Sequence, residues 1–126
     1  MAAIPSLYVA IFALMNVKPV ERYGRIVETL INKRGVTHAD QSGSKRGFGA
    51  SALKFDNRIF AMLASGDEFV VKLPKQRVDA LVDAGEGKRF DPRRNGRLMK
   101  EWLVVGPGLE DRWLPLAKEA MEFAAR

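Results

Sequence analysis

The chain has no cysteine and a single histidine, His38. Without thiols there is no disulfide framework, no thiolate zinc site and no cysteine nucleophile. One imidazole argues against a multi-histidine metal centre, so neither a metal nor a cofactor is expected. Long apolar runs are missing as well. A membrane helix needs about 20 apolar residues, and the apolar stretch MAAIPSLYVAIFAL at residues 1–14 is interrupted by Pro5 and followed, after Met15, by polar Asn16. That stretch also lacks the basic leader and small-residue cleavage site of a secretory signal. No membrane association is therefore expected, and a cytoplasmic location is.

What is present fits one ordinary domain. Apolar residues make up 47% and charged residues 29% of 126, which excludes wholesale disorder and leaves room for one core. Lys and Arg number 21 against 15 Asp and Glu, a formal charge of +6. That excess permits nucleic acid, small anions or acidic partners and selects none of them. Residues 1–15 are read as an apolar extension and residues 16–126 as the domain. Three readings of the extension remain: a poorly ordered addition upstream of the usual start at Met15, a short element added to the core, or a patch for self-association. The first is preferred.

Hydrophobic spacing predicts the elements. Pro19 to Arg34 reads as a helix with Val20, Tyr23, Val27, Leu30 and Ile31 on one side, Pro19 opening it and Gly35 stopping it. Residues 36–50 read as a glycine-rich loop. A β-meander follows, with strands Ala52–Phe55, Arg58–Ala64 and Glu68–Leu73 joined by two-residue turns at Asp56-Asn57 and Gly66-Asp67. Those turns set Phe55 opposite Arg58, Leu53 opposite Phe60 and Met62 opposite Val71. Leu53, Phe55, Phe60, Met62, Phe69, Val71 and Leu73 would then share one face, and Lys54, Ile59, Ala61, Leu63, Val70 and Lys72 the other. Pro74 opens a helix to about Ala84 that buries Val78, Leu81 and Val82. Residues 86–99 read as a basic loop, Lys100–Val105 as a fourth strand, and about Asp111–Ala125 as a last helix. The order α-β-β-β-α-β-α predicts an α+β two-layer fold: an antiparallel sheet, a β-meander plus a fourth strand, with helices packed on one face.

Chemistry-bearing motifs are few. GSKRGFG at 43–49 and GEGKRF at 85–90 are glycine-rich, but neither matches a P-loop nor sits between a strand and a helix in the required order. Ser44 and Ser51 have no base nearby in sequence, and Asp91 and Glu101 form no recognisable carboxylate pair. Trp102 and Trp113 read as core residues. No catalytic constellation emerges, and a non-enzymatic protein is expected. The strongest local feature is the basic segment 86–102, with Lys88, Arg89, Arg93, Arg94, Arg97 and Lys100 against Glu86, Asp91 and Glu101. Lys45 and Arg46 precede the meander, and Lys54 and Lys72 share a sheet face. Converging, these groups suit phosphates, which Arg and Lys bind well. The alternative is a solvated loop whose arginines pair with Asp91, Glu101 and nearby acids.

Residues 17–125 resemble a known family. The pieces that carry the likeness are Ala50-Ser51-Ala52-Leu53, Arg58-Ile59-Phe60-Ala61, Val71-Lys72-Leu73-Pro74, Phe90-Asp91-Pro92 and Met99-Lys100-Glu101-Trp102, with the helix WLPLAKEAMEF. Together they are similar to the MmcQ/YjbR-like family, which is related to the N-terminal domain of TfoX, a bacterial competence regulator. The resemblance implies a DNA-binding fold with a double-wing arrangement of hairpins and helices, and it carries no catalytic residues to transfer. The expected function is DNA binding through phosphate contacts, without base specificity. The alternatives are a protein-interaction or homodimerising module and a binder of a small anionic ligand.

Overall fold

The computed structural model describes residues 18–38, 52–91, 96 and 99–126. The first helix, α1 (Pro19–Leu30), is followed by β1 (Val36–His38), β2 (Leu53–Phe55) and β3 (Arg58–Ala64). A 3-10 turn at Ser65–Asp67 leads to β4 (Glu68–Lys72), then α2 (Lys75–Asp83), β5 (Gly87–Phe90) and β6 (Met99–Val105). A second 3-10 turn at Glu110–Arg112 opens into α3 (Trp113–Ala124). Among the described residues the fold is α+β: one six-stranded antiparallel sheet in the order β1-β2-β3-β4-β6-β5 with three helices. The order α-β-β-β-α-β-α is present, with two short edge strands added. β1 is only three residues long, too short to show alternation, and two cations beside Gly87 disguise β5 as loop.

All three helices pack on one side of the sheet. α1 buries Tyr23, Ile26 and Leu30. Its apolar stripe is therefore centred one step away from the expected one, leaving Val20 63% and Ile31 38% exposed. α3 buries Trp113, Leu116, Ala117, Ala120 and Ala124, and the Trp113 ring stacks on Phe69 with centroids 4.5 Å apart. Pro115 falls in the first turn of this helix, where its missing N–H has no intrahelical partner to lose. α2 adds Val78 and Leu81. With Leu53, Phe60, Ala61, Val71, Leu73 and Leu103 these side chains form the main core.

The sheet register departs from the expected one at two places. The Asp56-Asn57 turn is the two-residue hairpin foreseen, both residues at positive φ (46° and 69°), as the tight primed turn demands. Phe55 faces Arg58 and Lys54 faces Ile59, but Leu53 then faces Ala61, because Phe60 is an unpaired bulge residue. The next connection spans Ser65–Asp67, three residues rather than two, so Ala64 faces Glu68 and Met62 faces Val70. Phe60 and Ala61 consequently both join the helix-side core, and Leu63 packs against it. Met62 moves to the other face, beside Val70 and Val104. An unbulged strand in this register would have aligned Lys72 with Phe60, a core position, and the bulge removes that conflict.

The bulge has a partner in α1. The Tyr23 hydroxyl donates to the Ala61 carbonyl at 3.4 Å and makes a backbone hydrogen bond with Leu53. It thus sits where the irregular register interrupts the ladder between β2 and β3, tying α1 to that point of the sheet.

Candidate nucleic-acid interface

The ten cations singled out by sequence do not form one set. Lys45, Arg46, Arg93, Arg94 and Arg97 lie outside the described residues, as does the apolar extension. Lys54, Lys72 and Lys88 share the sheet face opposite the helices. Lys54 pairs with Ile59 of that face, Lys72 with Trp102, and Lys88 with Val104. The Lys72 ammonium lies 5.8 Å from the centroid of the Trp102 ring, a cation–π contact that keeps its stem along the sheet and its head toward water. Lys88 is 72% exposed at its side chain and 3.4 Å from the Glu68 carboxylate. At that exposure the pair is a weak restraint. Lys100 is exposed near the start of β6.

Arg89 belongs to neither set. Residues 87–90 are a strand, not the loop expected, so successive side chains alternate and Arg89 points to the helix side, opposite Leu103. There its guanidinium meets the Asp79 carboxylate of α2 at 2.6 Å. Lys75 approaches the other Asp79 oxygen at 2.9 Å. The hydrogen bond from Arg89, followed by that from Lys75, holds the Asp79 carboxyl below its ordinary range. The acid that engages Arg89 is thus Asp79, where the alternative reading of a solvated loop names Asp91, Glu101 and nearby acids, because strand alternation decides which helix an edge-strand arginine can reach. Arg112 is paired with Glu86 and Arg77 with Glu119 at 2.7 Å, so these helix-side cations are likewise matched.

Two open clefts flank the same sheet end. One, of about 620 Å³, is lined among others by Pro19, Arg22, Asp67, Glu68, Lys88 and Glu110. The other, of about 760 Å³, is lined among others by Glu68, Lys88, Arg89 and Asp91. Sequence reasoning foresaw neither, since each is assembled from turns and strand ends far apart in the chain. The first cleft presents two cations against three anions and the second two against two, so neither is a basic pit. Among the described residues no group of three or more His, Asp or Glu is placed to hold a metal ion, and no helix is long and apolar enough to cross a membrane. His38 Nε2 is buried with no hydrogen-bond partner among the described residues, its ring 6.4 Å from that of Tyr23. Among the described residues no acid is paired with it. The arrangement places Lys54, Lys72 and Lys88 on one sheet face and the ion-paired Arg77 and Arg89 on the helix side. In comparisons with family models, curated proteins and solved structures, nothing matched this chain.

Proposed function

We propose that the protein binds DNA through its phosphates, without base readout and without catalysing a reaction. The observation that carries this reading is the register: Lys54, Lys72 and Lys88 stand on one face of the sheet, from β2, β4 and β5. Strands in one sheet lie about 4.8 Å apart, so the three ammonium groups are spread over a surface of the width that a nucleic-acid backbone crosses. Among the described residues only Lys88 of the three has an acid within ion-pair distance, and its own side chain is largely exposed. Lys100 and the cations at 45, 46, 93, 94 and 97 extend the same positive region in sequence. Arg89 contributes least, being held by Asp79. The likeness of residues 17–125 to the MmcQ/YjbR-like family points the same way, and DNA as partner agrees with a cytoplasmic, bacterial setting.

Fluorescence anisotropy with random duplex DNA over a salt series tests the reading. If ~4–6 phosphates are neutralised, log affinity falls against log salt with a slope of about −4 to −5. Lys54→Gln and Lys88→Gln each flatten that slope by about 1, to the same extent on every sequence, because phosphate contacts position without reading bases. Arg89→Ala leaves the slope unchanged. Absence of binding at low salt, or a flat slope, rejects the proposal.

A further inference from the structure

Besides the stripe it buries, α1 carries a second apolar line. Val20 and Ile31, 63% and 38% exposed, are the exposed large hydrophobic residues among the described ones. Val27 is half-buried at the margin of the main core. With Gly24 they stand at i, i+4, i+7 and i+11, one line along the helix, and Ile31, the C-cap, keeps helical dihedrals. The line lies about a quarter turn round the helix from the buried Tyr23, Ile26 and Leu30. Nor is it turned toward α3: the residues of α1 that line the cleft against Trp113 and Leu114 are Arg22, Arg25, Ile26 and Thr29. Gly24 adds an independent sign. A glycine inside a helix is unfavourable relative to alanine, and among the described residues nothing requires it, since a Cβ there would meet no atom within 4 Å. It leaves a notch in the middle of an exposed apolar line, where a second helix can come close.

We propose that this line is a homodimer interface, in which α1 of one copy lies antiparallel on α1 of a second copy. Its symmetry selects that occupant. An isologous contact must match itself under a twofold turn, and the spacing of Val20, Gly24, Val27 and Ile31 reads the same in both directions. With the axis midway along the line, Val20 stands level with Ile31 of the second copy and Gly24 level with its Val27, so the valine fills the notch. A helix of unrelated sequence gains nothing from that symmetry. The solvent flank of the line carries exposed Lys18, Glu21, Arg25 and Glu28, two charges of each sign, so copies of a chain of net charge +6 meet there without a block of like charge. So short a line buries well under the roughly 800 Å² per partner of a standard interface, and the dimer is accordingly weak and concentration-dependent. The contact is on the helix side, away from Lys54, Lys72 and Lys88, and is independent of DNA binding.

Sedimentation equilibrium of the full chain from micromolar to millimolar concentration is the test. The weight-average mass is expected to rise from 14.0 kDa toward twice that. Val20→Glu and Ile31→Lys, both at exposed positions, each stay at the monomer mass with an unchanged circular dichroism spectrum. An equimolar mixture of the two associates again, because the antiparallel register sets the introduced carboxylate of one against the introduced ammonium of the other. Gly24→Leu fills the notch and weakens association about tenfold or more, while its better helix propensity leaves the melting temperature of the dilute monomer no lower. Should a charged variant fail to fold, Val20→Ser makes the same mass comparison. A monomer mass at every concentration overturns the proposal. So does a dimer that these variants leave intact, or a mixture that stays monomeric.

Discussion

Gly87 sits where the neighbouring strand leaves no room for a side chain. A Cβ built there would overlap the Val104 carbonyl oxygen and come within 2.8 Å of Leu103 Cδ1. Neither the carbonyl nor the fully buried Leu103 can retreat, so Gly87→Ala is expected to cost about 1–3 kcal/mol, the usual cost of overpacking. A shift in urea midpoint with unchanged slope checks it. Tyr23 acts through its hydroxyl. Burial pushes its pKa above the ordinary value, and the backbone hydrogen bond with Leu53 only partly opposes that. With the folded pKa raised, the phenol's contribution is fully present below the unfolded value of about 10 and is lost as pH climbs past it toward the folded value. Tyr23→Phe should therefore be less stable than wild type at pH 7 and lose less stability between pH 9 and pH 11, measured by urea denaturation at each pH. Asp79 has the opposite sign. Its lowered pKa gives stability that is present above the unfolded carboxylate value and disappears as pH falls through the folded one.

At the scale of elements, the terminus of α3 is held by a strand. Arg58, the first residue of β3, donates from Nη1 to the Ala124 carbonyl at 3.0 Å and to the Arg126 carbonyl at 3.3 Å. These are the acceptors that a helix leaves unsatisfied at its C-terminal end, where positive charge is favourable. Arg58→Ala is expected to lower stability by about 1 kcal/mol and to speed amide exchange in the last turn of α3 ahead of its first. The helices were well legible in the sequence because a 3.6-residue stripe over nine to twelve positions repeats its signal several times: Val78 and Leu81, or Leu116, Ala117 and Ala120, could hardly face elsewhere. The first hairpin was legible too, because Asp56-Asn57 names its own turn. The second was not. A strand's face depends on parity, and one bulge residue or one extra turn residue inverts it. Phe60 and Ser65 show no local mark of either. The basic segment misled for a related reason: charge density reports cations but not alternation, so Lys88 and Arg89 read as one group although the strand sends them to opposite sides. The clefts had no signal in sequence at all.

For the whole molecule, one sheet serves two clusters. Val70 and Val71 are neighbours on β4, as are Leu103 and Val104 on β6, yet each pair divides between the clusters. Neither cluster can lose its strands while the other keeps them. Unfolding should thus be a single transition. Trp102 lies against one cluster and Trp113 within the other, so single-tryptophan variants Trp113→Phe and Trp102→Phe report the two sides separately. In each variant the fluorescence and far-UV circular dichroism midpoints should coincide, and a separation between them would show two folding units. The bulge at Phe60 also bears on how such a chain tolerates changes of length. Phe60 pairs with no residue of β2, and removing it would leave Ile59 and Ala61 in plain alternation, each still on its own face. The cost would be that of one buried ring, about 3–5 kcal/mol by analogy with Phe→Ala in cores. Ala61 could be lost in the same way, since Phe60 would then alternate with Ile59 and Met62, whereas a deletion further along β3 would exchange the inward and outward sets on one side of the lesion. Within that strand, the bulge at positions 60 and 61 is where a codon can be lost in frame without turning the sheet inside out.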